Sequence, residues 1–322
     1  MPRVVISGHI HDDGMAVLSS RPGLEIDQLP DENPETLRAR LSAADALLIR
    51  TAPLPADVLP LANHLKVVSR HGVGYDNIPV EALTARGIPL ALAIGANADS
   101  VAEQVLAFTF ALAKRMPALD RAVRAGDWGA RNRLGPFEIG GRRLLVIGFG
   151  RIGRTLAHRA AALGMRVLAA DAAVPAEAIR AGGAEPVADW RAALAEADVI
   201  SLHVPRTPET ENMIGAAELA RMRPDAILVN TARGGLIDEA ALAAALGEGR
   251  LAGAGIDTLA EEPPSADNPL LASDRVILSP HTAGLSREAH ANLSRISAEN
   301  VLAALDGRLD PSVVVNPSVL PR

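Results

Sequence analysis

Short, almost wholly apolar runs recur along this chain, separated by longer segments of mixed polarity. In the first hundred residues the runs fall at 4–7, 24–26, 46–49, 65–68 and 88–91, with helix-like stretches at 34–43 and 80–86 between them. Runs without polar alternation suit strands buried on both faces, and strands alternating with helices imply a parallel sheet covered by helices on each side. A second series begins at 143–147 and continues at 165–170, 198–202, 226–229, 252–256 and 275–278. It predicts a longer, doubly wound sheet. Between the two lies 99–116, in which Val101, Val105, Leu106, Phe108, Phe110 and Leu112 leave few polar sides. That pattern predicts a buried connecting helix or an oligomer interface. Segment 286–306 predicts a second long helix, and the tail 311–322 is too short for a domain, so it should return to pack on the first one.

Composition narrows the class. At 322 residues the chain has room for two domains, and 48% hydrophobic with 22% charged residues is ordinary for a packed protein. No apolar run reaches the roughly 18–20 residues of a membrane span. The first residues enter a strand-like run at once, the expectation being a mature cytoplasmic protein. Without cysteine, disulfides, thiolate metal sites and thiol nucleophiles are excluded. A net charge of −6 and only 2% aromatics argue against nucleic acid as a partner.

The most specific local signal is Gly148-Phe149-Gly150-Arg151-Ile152-Gly153, a G-x-G-x-x-G pattern between an apolar strand and a helix-like segment. Gly148 would make the tight turn and Gly150 would let a pyrophosphate approach the backbone. Gly153 would let helix and strand pack closely, with free N–H groups at the helix start facing the phosphates. Asp171 ends the next strand, 18 residues beyond Gly153. Its carboxylate can accept from adenosine ribose hydroxyls, whereas a 2′-phosphate there would meet like charge, a repulsion on the order of 4 kcal/mol at close range. Ala172 and Ala173 follow, with no arginine to receive a phosphate, so NAD is expected over NADP.

Ligands of doubly wound sheets bind beyond the carboxyl ends of the strands. Three chemically distinct groups follow the later strands there: Arg233 after 227–229, a carboxylate from the stretch Asp257 to Glu261-Glu262-Pro263 after 255–256, and His281 after Leu278-Ser279-Pro280. A guanidinium, a carboxylate and an imidazole on one rim suit a 2-oxo acid. The cation grips the carboxylate and polarises the ketone, and the imidazolium protonates the oxygen as hydride reaches carbon. The carboxylate holds the ring and favours its charged form.

With these strings on the page, the chain resembles the D-isomer-specific 2-hydroxyacid dehydrogenases. The likeness runs through 148–153, 230–239, Glu262-Pro263 and 280–284, and further through 70–77, 100–103, 124–128 and Asn316-Pro317. It implies a Rossmann-type doubly wound parallel sheet domain and a second, smaller flavodoxin-like α/β domain, with a cleft between them. The expected division is a discontinuous substrate-binding domain, 1–98 and 285–322, around an NAD-binding domain, 99–284. Arg233, Glu262 and His281 are implied as catalytic residues. The cofactor set it points to is Gly148, Gly150, Arg151, Ile152, Gly153, Asp171, Val204, Pro205, Thr231, Ala232, Arg233, Asp257, His281 and Gly284. For substrate, the N–H groups of Val73 and Gly74 would hold the carboxylate beside Arg233 and His281. The family is usually dimeric through the helix near Ser100 and the arm around Trp128, so a homodimer is expected. Departures from the family are Arg206, Gln104 and Leu259-Ala260, none at the three catalytic positions.

The implied activity is reversible hydride transfer between NADH and a small 2-oxo acid, with hydroxypyruvate, glyoxylate and 3-phosphohydroxypyruvate foremost. Arg50, Arg70 and His71 follow strands of the first domain, and cations there would suit a phosphorylated or sulfonated substrate. Formate oxidation is disfavoured by Glu262, since formate enzymes of this superfamily carry glutamine there. The alternative from another class is a non-catalytic, dinucleotide-sensing corepressor-like protein of the same fold. The run His9-Ile10-His11-Asp12-Asp13 has metal-ligand residue types, but a strand-to-helix turn with an aspartate capping the helix is the expectation, and no metal is assigned. With no appended regulatory domain, no allosteric amino-acid site of the attached kind is expected.

Overall fold

The computed structural model describes residues 1–320. The chain divides into two compact units, Ala98–Gly284 and Met1–Asn97 with the chain from Leu285 onward. In the second of these, five strands form a parallel sheet: β1 (Arg3–Ser7), β2 (Glu25–Gln28), β3 (Ala46–Ile49), β4 (Val67–Arg70) and β5 (Leu90–Leu92), in the order β2-β1-β3-β4-β5. That is the flavodoxin-like order. Helix α1 (Asp12–Ser19) and the 19-residue α11 (Arg287–Leu305) cover one face, with Ile10, Leu18, Ala298 and Val301 against Val4, Ile6 and Leu48. On the other face α2 (Pro34–Leu41) and α3 (Val80–Ala85) enclose Leu37, Leu41, Leu47, Ile49, Val68 and Leu83. Alternate residues of β1, β3, β4 and β5 thus serve two cores, which is why those runs read as continuously apolar, while the edge strand β2 has no buried residue.

The tail packs onto this unit. Val315 N–H donates to Leu90 O at 2.9 Å, and the Asn316 side chain accepts from Leu90 N–H and donates to Ile88 O, both at 2.9 Å. At the start of α1 the cap is His11, whose Nδ1 accepts from Asp13 N–H at 3.2 Å. The expected aspartate cap is therefore displaced by one position, and Asp12 and Asp13 lie in the first turn, where carboxylates favour the helix dipole.

The other unit carries seven parallel strands in the order β12-β11-β10-β9-β6-β7-β8. They are β6 (Arg143–Ile147), β7 (Arg166–Ala170), β8 (Glu185–Pro186), β9 (Val199–Leu202), β10 (Ile227–Asn230), β11 (Gly253–Ile256) and β12 (Val276–Leu278). The two-residue edge strand β8 has no apolar run and gave no signal in the sequence. Connections from β6 run one way through β7 and the other way through β9, so the topological switch lies beside β6, where this architecture binds dinucleotides.

Helix α4 (Ala98–Ala113) lies on β10 and β11 with Val105, Phe108 and Leu112 buried. Gly253 and Gly255 make the approach possible, since a Cβ on Gly255 would stand 2.5 Å from Phe108 and one on Gly253 2.8 Å from Leu112. The apolar stretch does not continue as one helix to 116. Arg115 turns left-handed (φ 53°), and α5 (Met116–Arg124) starts afresh with no buried residue. Among the described residues no helix is long and apolar enough to cross a membrane.

Candidate active site

At the carboxyl end of β6 the chain turns through Gly148 (φ 98°) into α6 (Arg151–Ala162). Two glycines there are held by close contact. A Cβ on Gly148 would lie 2.5 Å from the His203 carbonyl oxygen, and one on Gly153 2.3 Å from the Gly148 carbonyl oxygen. Gly150 differs: a Cβ there would meet nothing within 4 Å. It is the N-cap of α6 and offers no side-chain cap, so the helix start presents its N–H groups to open space. Asp171, just after β7, accepts from Phe149 N–H at 2.7 Å, Ala173 N–H at 2.7 Å and Val174 N–H at 2.9 Å. Burial works against its charge, but those hydrogen bonds and the nearby Arg154 hold the carboxyl below its usual range. Asp171 is thus ionised and tied to the glycine turn.

The loop after β9 carries Val204 and Pro205. Val204 is packed at the Gly148 turn, and Arg206 pairs with Glu211 at 2.5 Å while lying against Gly235. His203, whose Nε2 lies 2.8 Å from Ser201 Oγ, is pushed down to about 4 by burial and stays neutral. After β10, the Asn230 side chain organises the turn. Its amide donates to Arg233 O at 2.7 Å, and its oxygen accepts from Ala232 N–H at 3.0 Å. Asn230 was part of a recognised string but received no role from the sequence. Thr231 Oγ1 is buried and has no hydrogen-bond partner among the described residues. Arg233 donates from Nη1 to Ala232 O at 2.7 Å.

The next two loops build the acid–base pair. Glu262 accepts from Leu259 N–H at 3.1 Å with one oxygen, and its other oxygen lies 2.8 Å from His281 Nδ1. His281 itself is left-handed (φ 52°). Its N–H donates to Asp257 O at 2.8 Å, and the buried Asp257 carboxylate accepts from Ser279 Oγ, Thr282 N–H (2.8 Å) and Ala283 N–H (2.9 Å). Asp257 therefore clamps the turn that aims the imidazole, and Gly284 closes this unit. The Arg233 loop is pressed on the Glu262 loop: a Cβ on Gly234 would fall 1.7 Å from Leu259 O. Because β10, β11 and β12 are neighbours, with strands about 4.8 Å apart, the three loops emerge within roughly 10 Å.

In the smaller unit, the turn after β4 leaves the N–H groups of Val73 and Gly74 without a partner among the described residues. Arg70 folds over this turn. Its Nε donates to Gly74 O at 3.0 Å, and Nη1 reaches His71 O (3.3 Å) and Ile49 O (3.5 Å). Arg50, after β3, has no ion pair or side-chain hydrogen bond among the described residues. His71 is only 4% exposed, with Nε2 2.8 Å from Ser294 Oγ. Burial, reinforced by His290, Arg50 and Arg70, pushes it down to about 3. It is a neutral core group and not the third cation the sequence suggested. The residues His9 to Asp13 form no metal-holding group among the described residues.

The geometry can be set beside known proteins. Residues 106–283 match the model of the D-isomer specific 2-hydroxyacid dehydrogenase NAD binding domain. The chain belongs to this family. A D-3-phosphoglycerate dehydrogenase of Methanocaldococcus jannaschii is 39% identical over 320 residues, covering 99% of this chain and 60% of that protein. This chain thus spans about three fifths of that relative's length. A glyoxylate reductase of Korarchaeum cryptofilum is 38% identical and is covered nearly end to end (97% of this chain, 96% of that one). Among solved structures, an NADPH-dependent glyoxylate/hydroxypyruvate reductase of Sinorhizobium meliloti superposes with a TM-score of 0.87 at 26% identity, covering 100% of both chains.

The family implies a nicotinamide dinucleotide, and the residues present fit one. The space over Gly150, the uncapped start of α6 and the orphaned hydroxyl of Thr231 are what phosphates and ribose would satisfy.

Proposed function

We propose that this protein is an NAD-dependent D-2-hydroxyacid dehydrogenase, reversibly reducing a small 2-oxo acid such as hydroxypyruvate, glyoxylate or 3-phosphohydroxypyruvate. The observation that carries the reading is the Glu262–His281 pair, 2.8 Å apart at the carboxyl edge of a dinucleotide-type sheet. When bound, the dinucleotide supplies the hydride to the substrate carbon or takes it back. Arg233 binds the substrate carboxylate and draws electron density toward the ketone oxygen. With Nδ1 engaged by Glu262, His281 has Nε2 left to give its proton to that oxygen during reduction and to remove it from the hydroxyl during oxidation. Glu262 holds the ring in one orientation and offsets the imidazolium charge.

Binding of the cofactor is assigned to the Gly148–Gly153 turn, Arg151, Ile152, Asp171, Val204, Pro205, Thr231, Ala232, Asp257 and Gly284. Asp171, ionised, supports NAD over NADP. The smaller unit is read as the substrate-binding domain, where the unpaired N–H groups of Val73 and Gly74 suit a carboxylate. Arg50 and Arg70 are read as favouring an anionic side chain. The homodimer, expected through the helix near Ser100 and the arm around Trp128, is supported by the exposed apolar side chains of that arm and of the neighbouring α5, where Met116, Val123 and Trp128 are 56%, 56% and 67% exposed. The absence of cysteine and the use of NADH fit a cytoplasmic setting.

The test is the loss of NADH absorbance with a panel of 2-oxo acids, repeated with NADPH and with His281→Ala. Turnover with NADH that the substitution abolishes supports the assignment. NADH binding without turnover across the panel would refute it.

A further inference from the structure

One residue of the 230–239 string has no part in the scheme above. Glu239 opens helix α10 (Glu239–Gly247), whose Leu242, Ala245 and Leu246 are rooted in the core. The helix start is fixed twice more. Asp238 caps it by accepting from Ala241 N–H at 3.0 Å, and Asp238 N–H donates to Ile214 O at 3.0 Å. Glu239 therefore stands on a rigid platform.

Its carboxylate reaches the loop that carries Glu262. One oxygen accepts from Ala260 N–H at 2.7 Å and the other from the Asn268 side-chain amide at 2.6 Å. Ala260 is the first exposed residue after β11, past the buried Asp257–Leu259, and Asn268 is where the loop meets regular structure again, capping the helical turn Pro269–Ala272. Between them, residues 260–263 and 265–267 are exposed. A solvent-exposed loop has little packing to hold it, yet Glu262 must stay within hydrogen-bond reach of His281. One side chain closing both ends supplies that restraint with two hydrogen bonds, one to each of its oxygens.

We infer that Glu239 is a positioning residue for the acid–base pair: it fixes the 260–268 loop so that Glu262 meets His281. It touches neither substrate nor cofactor in this scheme. The inference rests on the reading of Glu262 and His281 given above. It predicts a specific pattern, because the Gly148–Gly153 turn and Asp171 sit on β6 and β7, several strands away.

The test compares Glu239→Ala and Glu239→Gln, each alone and in a Glu262→Gln background. Alanine should lower kcat on the order of tenfold, with KM for NADH within about twofold. Glutamine keeps an oxygen for Ala260 N–H but turns an NH2 toward the Asn268 amide, a donor facing a donor, so it should lose less of the rate than alanine does and more than none. Once Glu262 can no longer pair as a carboxylate, Glu239→Ala should lower kcat by less than about twofold further. An unchanged kcat in Glu239→Ala, or the same loss in both backgrounds, would overturn the inference. Amide hydrogen exchange over 260–268 gives a readout that needs no turnover. It should quicken in Glu239→Ala and quicken less in Glu239→Gln, which keeps the Ala260 end alone, and an unchanged rate in alanine would also overturn the inference. Failure of the dehydrogenase reading is separate, since it would show as no turnover by the native protein.

Discussion

Lowering the pH should weaken the smaller unit through His71, by an amount the structure allows to be worked out. An unfolded histidine titrates near 6.5, whereas folded His71 is held down to about 3, chiefly by burial. Between these values the unfolded chain binds one more proton than the folded one. The contribution of His71 is therefore fully present above about pH 6.5 and is lost as pH falls toward 3. The slope is about 1.4 kcal/mol per pH unit in that window. From pH 7.5 to 5.0 the loss comes to about 2 kcal/mol, set by the unfolded group because pH 5.0 still lies above the folded value. The other groups facing His71 are His290, with ring centroids 5.3 Å apart, Arg50 and Arg70, and none offers a carboxylate to relieve the charge.

The assay is urea unfolding at pH 7.5 and 5.0, extrapolated to water, for the native protein and His71→Gln. Glutamine can present its amide to Ser294 much as Nε2 does, but does not titrate. The pH-dependent loss in the native protein should exceed that of the variant by about 2 kcal/mol. Equal pH dependence in the two proteins would refute the claim that His71 is buried in its neutral form.

Other outcomes follow from the same geometry. Gly150→Ala should leave stability nearly unchanged, since its Cβ meets nothing within 4 Å, but should weaken NADH binding about tenfold or more by occupying the phosphate approach; calorimetric titration and urea melts separate the two. Gly153→Ala should instead destabilise its unit by about 1–3 kcal/mol, because its Cβ would lie 2.3 Å from a carbonyl oxygen, and Trp190 fluorescence in that unit reads the transition. Asp171→Ala should raise KM for NADH about tenfold and narrow the preference over NADPH, measured as kcat/KM for each. Arg50→Ala should lower kcat/KM for phosphorylated 2-oxo acids more than for neutral ones, and an equal effect on both would remove Arg50 from side-chain recognition.

Much of this architecture is local information. The apolar runs mark the strands because a residue buried on either face of a covered parallel sheet has no solvent side to face. The glycines at 148 and 153 announce a turn that only residues without a Cβ can make, Gly150 leaves the space over the helix start open, and Glu262-Pro263 and His281 are recognisable by the strings around them. Other features arise only when distant segments meet. His71 and Arg50 look alike to a reader of the sequence, as polar residues just past strands. Yet α11, more than two hundred residues on, buries His71, while Arg50 has no ion pair among the described residues. Arg70 turns back on its own loop carbonyls, which no spacing rule foretells. The apolar run ends at the left-handed Arg115: α4 is buried on β10 and β11, whereas α5, which starts at Met116, has no buried residue. Glu239 matters through Ala260 and Asn268, about 20 and 30 residues away, so its role exists only in the folded loop. The sequence by itself determined the elements and the residue types at their ends. Which of those residues are charged, buried or bonded was decided by the tertiary structure, since desolvation and hydrogen-bond geometry depend on neighbours that the chain order does not name.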